Sequence, residues 1–334
     1  MSKKIKLWRS NTIYSSSNHR SLPATIPATA IWTSARQCLT EAVIRLGMSR
    51  TDYIGIPDYS SHCVIDFIGR IATPVPLRFL PSDSANAVLI YDQWGWEKSL
   101  SARSEIKVAF PKAKIIWDRV DSLPKLYDSA VHKGESEAEV QVFSLKKTLT
   151  ATGGGLLWIR GEGWIEPTEC HDEDLVLALQ QIMRQYDDNQ ILDKKVNKFI
   201  CDECDLHLDL QKWIRHSNID NLSTHEHLAR IDRMKTIVEL MQLSKLPMWM
   251  HNQIEGSDMP APGIWPLVAS ADHDALIHEV SEKFNLELRS YHFNFNDSYI
   301  NPIWKKVLGL PLHSEVSTET LEKVCCLIIN AIDM

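Results

Sequence analysis

Apolar residues between positions 33 and 160 follow a pattern of helices that alternate with strands. In residues 34–47 they recur at i, i+3, i+4 and i+7, the spacing of a helix that buries one face. Thr33 or Ser34 precedes this run and is a candidate N-cap. A second helix is predicted at 60–72. Short runs rich in valine, isoleucine and aromatic residues predict strands at 52–57, 74–80, 86–92, 114–118, 139–145 and 155–159.

This alternation is typical of a doubly wound α/β fold. We predict a mostly parallel central sheet flanked by helices, with ligands bound at the carboxyl ends of the strands. After about residue 170 the pattern changes to helices at 173–188, 272–285 and 317–332, a mostly helical polar region at 190–245 and a strand at 286–293. The prediction is therefore a large α/β domain over residues 1–234, with a short N-terminal segment, and a small α+β domain over residues 235–334.

Charge and hydropathy exclude several classes of partner. The net charge is −7 and no dense Lys/Arg block occurs, which argues against nucleic acid. The apolar stretch VCCLIINAI near the end is far shorter than the roughly 20 residues that span a bilayer. The basic N-terminus lacks the apolar segment of a secretory signal. We expect a cytoplasmic protein that binds neither a membrane nor nucleic acid.

One cysteine cluster could bind a metal. The stretch CDECDLH places Cys201, Cys204 and His207 at the spacing C-x2-C-x2-H, and a fourth zinc ligand would have to come from Cys170 or His171. We favour a helical segment with two incidental cysteines, and therefore predict no metal, with a zinc site as the alternative.

Three polar features lie where predicted strands end. Residues 33–36 begin a helix, where free backbone N–H groups suit a phosphate. Asp118 ends one strand, and Lys146 and Lys147 precede three consecutive glycines that allow a tight turn. In an extended chain neighbouring side chains point to opposite faces, so we expect only one of the two lysines to enter a pocket. A lysine amine, a carboxylate for a ring nitrogen and a phosphate cradle are the groups that hold pyridoxal 5′-phosphate (PLP).

The same segments resemble a known family. FSLKKTLTATGG is similar to the lysine segment of the DegT/DnrJ/StrS-type PLP-dependent sugar aminotransferases, and within them to a branch that reads F-S-L-(R/K)-K-T-L before Gly-Gly. IIWDRVDSL resembles the family's I-E-D-x-x-(Q/H)-(S/A)-L, and TSARQCL resembles its phosphate loop S-G-(T/R)-x-A-L. IPDYSSHC, IYDQWGW and VLGLPLHSEVSTETLEKV are further similarities, in the family's order along residues 30–330. The resemblance implies the PLP-transferase fold of type I.

The resemblance also implies roles for single residues. Lys147 would be the Schiff-base lysine, and Asp118 the partner of the pyridine nitrogen. The other residues that would contact the cofactor lie in the same motifs: Ser34, Ala35 and Arg36 at the phosphate, Asp121 at the ring hydroxyl, His62 in preference to Ser61 over the ring, and Ser144 beside the lysine.

The sequence departs from the family pattern at several positions. Ala35 stands where glycine is usual and Arg36 where threonine is common. Asp121 replaces the glutamine or histidine, so that two carboxylates would repel each other near one cofactor unless one points away. The N-Y-R segment by which a neighbouring subunit reaches the phosphate is not recognisable in SNIDNLSTHEHL.

By resemblance we expect an aminotransferase that moves an amino group from glutamate to a keto sugar, carried on a nucleotide, for surface polysaccharide or lipopolysaccharide synthesis. A homodimer with shared active sites is expected on the same ground. Two alternatives are a PLP-dependent enzyme of another reaction type and a degenerate, non-catalytic regulatory member of the family.

Overall fold

The structure is a computed structural model, which describes residues 4–11, 13, 26–124, 138–150, 152–167, 209–215, 217–241, 246–256, 260–268 and 273–332. The predicted helix at 173–188 and the cluster of Cys201, Cys204 and His207 lie outside these residues, as do Cys170 and His171. In the described part of the chain, no helix is long and apolar enough to cross a bilayer, and no group of three metal-ligating side chains occurs.

A mixed eight-stranded sheet forms the centre of the first domain. Its strands are β1 (Ile31–Trp32), β2 (Tyr53–Ile56), β3 (Thr73–Pro76), β4 (Ala85–Tyr91), β5 (Lys114–Asp118), β6 (Val140–Ser144), β7 (Gly155–Ile159) and β8 (Gly163–Trp164). The order is β1-β7-β6-β5-β4-β2-β3, with β8 paired to β7. Strands β3, β2, β4, β5 and β6 are mutually parallel, whereas β7 is antiparallel to β6, β1 and β8. The predicted mostly parallel sheet is confirmed.

Helices cover both faces of this sheet. They are α1 (Ala35–Arg45), α2 (His62–Gly69), α3 (Leu100–Ala109) and the single turn α4 (Leu145–Thr148). Side chains of β5 alternate between the two sides: Ile116 packs in one core with α1 and α2, while Ile115 packs in another with α3. Strands buried on both faces explain the nearly continuous apolar runs KIIWD and VQVF.

The second sheet is smaller and antiparallel. Strands β9 (Ile264–Leu267), β10 (Arg289–Asn294) and β11 (Trp304–Pro311) pair in the order β10-β11-β9. Around it lie α5 (Ile219–Leu240), α6 (Met248–Glu255), α7 (His273–Phe284) and α8 (Thr318–Ile332). The predicted division at residues 234 and 235 falls inside α5 and stays a prediction. Leu7, close to the N-terminus, is buried in the core of this second sheet.

Two of the predicted strand runs contain the start of a helical turn. The run 139–145 is a strand only to Ser144, and Leu145 begins α4. The run 74–80 contains β3, which ends at Pro76, and then a 3₁₀ turn at Leu77–Phe79. The first of these differences matters for the site, because it changes the backbone that carries the two lysines from extended to helical.

Candidate active site

A cleft of about 620 Å³ opens at the carboxyl ends of the parallel strands. This volume is within the range of small-molecule sites, roughly 300–1,000 Å³. Tyr91, Asp118 and Ser144, the last residues of β4, β5 and β6, all line it. The strand order thus brings together side chains that are 27 and 26 positions apart in sequence. This is the edge at which open α/β sheets bind their ligands.

The start of α1 forms one end of the cleft. Ser34 is the N-cap of α1, and its hydroxyl accepts a hydrogen bond from the backbone N–H of Gln37 at 3.3 Å. Thr33, Ser34, Ala35 and Arg36 all line the cleft. An 11-residue helix directs its first N–H groups and the positive end of its dipole toward this point. The predicted phosphate-binding residues are therefore grouped where an anion is favoured.

The glycine triplet packs against this helix start. The N–H of Gly154 donates to the carbonyl of Thr33 at 2.8 Å, and the N–H of Leu145 donates to the carbonyl of Gly154 at 3.0 Å. A Cβ at Gly155 would lie 2.5 Å from the backbone nitrogen of Ala35. Gly154 has a φ of +99°, in the left-handed region that favours glycine. The glycines thus hold the beginning of β7 against the beginning of α1.

Asp118 is the buried carboxylate of the cleft lining. Its side chain accepts a hydrogen bond from the N–H of Val120 at 3.1 Å. Burial raises the pKa of Asp118 to about 7, against the opposing effect of the Lys147 charge. A carboxyl group with this pKa holds or releases a proton near neutral pH. That behaviour suits a partner for a basic ring nitrogen.

Lys147 projects into the same cleft from α4. Its Nζ lies 2.8 Å from Oδ1 of Asp121, and about a third of its side chain (36%) is exposed. Burial alone would lower the pKa of the amine, but the charge and hydrogen bond of Asp121, together with the charge of Asp118, raise it above its ordinary value. The amine is thus held in its protonated form in the absence of a bound molecule.

Asp121 occupies a different position from the one expected. Its side chain is fully buried and lies behind the lysine, outside the residues that line the cleft. One carboxylate oxygen accepts hydrogen bonds from the Tyr91 hydroxyl and from the N–H of Trp94 at 3.1 Å, and the other pairs with Lys147. The expected repulsion between Asp118 and Asp121 is therefore offset by the charge of Lys147, which acts on both carboxylates, and by the two donors on Asp121.

The expectation that Lys146 points away from the pocket is wrong. Both lysines line the cleft, Lys146 as an exposed side chain and Lys147 as a half-buried one. The reason is that residues 145–148 form a helical turn, in which neighbours are rotated by about 100° and not by the 180° of a strand. Strand alternation does not apply beyond Ser144.

His62 is not brought into the cleft. Its side chain is exposed at the first residue of α2, while Ser61 and Cys63 on either side line the cleft. The aromatic residue on this side is Tyr59, whose ring stacks on His292 with centroids 4.5 Å apart and planes at 12°. The ring-stacking role predicted for His62 is therefore not supported by its position.

Several residues of the cleft carried no clear signal in the sequence. Trp94 has a φ of 62°, which is unusual for a bulky residue and directs its N–H at Asp121. Gln93, which follows β4, links the first sheet to β10 of the second, since its side chain donates to the carbonyl of His292 at 2.6 Å and accepts from the N–H of Asn294 at 3.2 Å. The motif IYDQWGW predicts that the residues after β4 lie near the cofactor. No sequence motif predicts that residues of β10 line the cleft.

The cleft fits PLP by the chemistry of its side chains. Lys147 supplies a primary amine, Asp118 a buried carboxyl with a pKa of about 7, and the start of α1 with Arg36 a place for a phosphate. The close packing at Gly155, which a Cβ would disrupt, keeps the helix start and the lysine segment together. The sequence-predicted residues Ser34, Ala35, Arg36, Asp118, Ser144 and Lys147 all line this one cleft.

Comparison with known proteins agrees with this chemistry. Residues 22–168 match the family model described as "Putative PLP-dependent aminotransferase". That match covers the eight-stranded sheet and the cleft residues that it carries. It confirms the prediction of a PLP-dependent aminotransferase, without specifying the substrates. No curated protein matches the sequence significantly.

Solved structures show the same fold at low sequence identity. NtdA from Bacillus subtilis, with bound cofactor PMP, is 12% identical with a TM-score of 0.55, covering 91% of this chain and 73% of NtdA. The aminotransferase TlmJ from Streptoalloteichus hindustanus is 14% identical with a TM-score of 0.53, over 92% and 88% of the two chains. S. venezuelae DesV, in complex with a ketimine intermediate, is 14% identical with a TM-score of 0.53, over 91% and 84%. The PLP-transferase fold expected from the sequence is thereby confirmed.

Proposed function

We propose that this protein transfers an amino group from an amino acid, by resemblance glutamate, to a keto sugar carried on a nucleotide. The observation that carries the amino transfer is the convergence of Lys147, Asp118 and the start of α1 in one cleft. The keto sugar and its nucleotide rest on the family resemblance. By the same resemblance the product serves surface polysaccharide or lipopolysaccharide synthesis in the cytoplasm. A homodimer is proposed on the same basis.

Bound PLP would supply an electron sink for the bond-breaking at the donor Cα. Asp118 would stabilise a proton on the ring nitrogen, because a buried carboxylate favours a positive charge on its neighbour. The Nζ of Lys147 would take the proton from the donor Cα and return it after transfer. Asp121 would form an ion pair with Lys147 whenever the amine is protonated, because its carboxylate is the direct hydrogen-bond partner of that amine.

The test is the visible absorption spectrum of the purified protein with added PLP, before and after glutamate. We expect a yellow protein whose band is lost as the amino group moves to the cofactor. Release of 2-oxoglutarate in the presence of a keto-sugar panel would then identify the acceptor. A yellow protein that reacts with an amino acid but releases no keto acid would indicate another PLP-dependent reaction.

One observation favours the non-catalytic alternative. The Asp121–Lys147 ion pair holds the lysine protonated, and a protonated amine is not a nucleophile. If this pairing is permanent, the protein stays colourless when PLP is added. Treatment with borohydride then does not attach the cofactor covalently to Lys147. The catalytic proposal requires the opposite outcome in both measurements.

A further inference from the structure

The N-terminal segment 4–11 is firmly attached to the small domain. The N–H of Ile5 donates to the carbonyl of Asn285 at 2.9 Å, and the N–H of Glu287 donates to the carbonyl of Ile5 at 2.8 Å. Leu7 is 1% exposed in the core of the second sheet. The carbonyl of Lys6 is also in hydrogen-bond contact with Nε2 of His313 at 2.9 Å. The chain is thus held on the side that precedes Trp8.

The side that follows Trp8 is held by buried charges. Nη1 of Arg9 lies 2.8 Å from Oε2 of Glu226, whose other oxygen lies 3.1 Å from Nε of Arg230. Burial tends to raise the pKa of Glu226, but the charges of Arg230 and Arg9 lower it below its ordinary value. The N–H of Ser10 donates to a carboxylate oxygen of Glu315 at 3.0 Å. Trp8 therefore stands between two anchored stretches of backbone.

Trp8 reaches from this segment to the lysine of the large domain. Its side chain lines the cleft, and Nζ of Lys147 lies 4.9 Å from the centre of its ring. A cation at this distance from an indole face is attracted by the ring. Because Asp121 keeps the amine protonated, the indole and the carboxylate act on the same cation.

We propose that Trp8 is a positioning and specificity residue, which covers the Lys147 amine and forms the wall against which the ring of the amino acceptor lies. The second part rests on the proposed function. A flat apolar indole next to the reacting amine suits an acceptor with a ring that has an apolar face, as sugars have. An open-chain keto acid would make little use of this surface.

The first experiment uses the cofactor-free protein and does not depend on catalysis. Wild type, Trp8→Ala and Trp8→Phe are acetylated briefly with a limiting amine reagent, and mass spectrometry gives the ratio of labelling at Lys147 to that at the neighbouring Lys146. Circular dichroism checks that each variant is folded. We expect the ratio to rise about two- to fivefold in Trp8→Ala and to stay near wild type in Trp8→Phe. Lys146, exposed in the same peptide, is the internal control.

An unchanged ratio in folded Trp8→Ala overturns the covering role. The second experiment measures KM and kcat of the holoenzyme for donor and acceptor separately. The proposal requires that Trp8→Ala raise KM for the acceptor more than for the donor, with Trp8→Phe between. Equal changes for both substrates overturn the acceptor role. If no aminotransferase activity exists at all, the labelling result still decides whether Trp8 covers the lysine.

Discussion

The two walls of the cleft are built in different ways. The large-domain wall consists of side chains at strand ends and a helix start, such as Asp118, Lys147 and Ser34, each placed by its own short segment. The other wall, on the side of the second sheet and here called the small-domain wall, consists of Trp8, which packs against the core of that sheet, and of Tyr291 and His292 on β10, more than 280 positions away in sequence. The comparison suggests that the chemistry depends on local backbone geometry, while the shape of the substrate space depends on how distant segments pack.

The largest effect is expected at the large-domain wall. Lys147→Ala removes the amine that moves the proton, so kcat should fall by about 10²–10⁴-fold, the usual contribution of a general base. Lys146→Ala is the matched control, since it removes the neighbouring lysine of the same cleft. Steady-state rates and the visible absorbance of both variants are measured. A similar fall in kcat in both variants would contradict the assignment of the catalytic amine to Lys147 alone.

For the small-domain wall the largest effect is expected on stability, at Glu226, which anchors Arg9 next to Trp8. Glu226→Gln leaves Arg9 and Arg230 buried without their anion, which should cost about 3–5 kcal/mol in the free energy of unfolding. Glu319→Gln is the control, because its ion pair with Lys323 is exposed and its loss should leave the free energy of unfolding nearly unchanged. Urea unfolding at pH 7 gives both values.

The pH dependence of the same variant sharpens this test. The pKa of Glu226 is lowered in the folded state, so its contribution is present above its ordinary value of 4.5 and is lost as the pH falls through the folded pKa. The stability difference between wild type and Glu226→Gln should therefore shrink in acid. A difference that stays constant from pH 7 to pH 3 would contradict the role of the charge.

Asp118 should destabilise the cofactor-free protein as the pH rises. Its pKa is about 7 when folded and 3.8 ordinarily, so between these values the folded state binds the extra proton and stability falls with increasing pH. Asp118→Asn removes this slope and should be more stable than wild type at pH 8 by about 2–4 kcal/mol. Urea unfolding at pH 5 and pH 8 measures the effect. A variant that is less stable than wild type at pH 8 would refute it.

The smallest effect is expected at the residue behind the lysine. Asp121→Asn removes the negative charge that raises the pKa of Lys147, so the amine should react at lower pH in the cofactor-free protein. The pH profile of Lys147 acetylation is compared between wild type and variant, with Lys146 as internal reference. An unshifted profile would show that Asp118, and not Asp121, is the main electrostatic partner.

Much of the large-domain wall could be predicted from short segments. The N-cap of α1 was expected at Thr33 or Ser34 and is Ser34, and the strand was predicted to end at Asp118, as it does. Both depend on residues within a few positions of one another. Lys147 was singled out by its place in a short motif before the glycine triplet, through the family resemblance. The orientation of Lys146 was predicted wrongly, since it depends on where β6 gives way to α4. The exposure of His62 likewise depends on how α2 packs against α1.

The sequence alone determined the alternating helices and strands, because hydrophobic period and turn chemistry act locally. The residues predicted to hold PLP came from short motifs that resemble those of a known family. Only the tertiary structure decided that Asp121 lies behind Lys147 and that Trp8 lies over it. The first contact joins residues 26 positions apart and the second joins residues 139 positions apart, and their geometry is decided by the packing of the two sheets and by a few buried charges. No short segment of the chain contains that information.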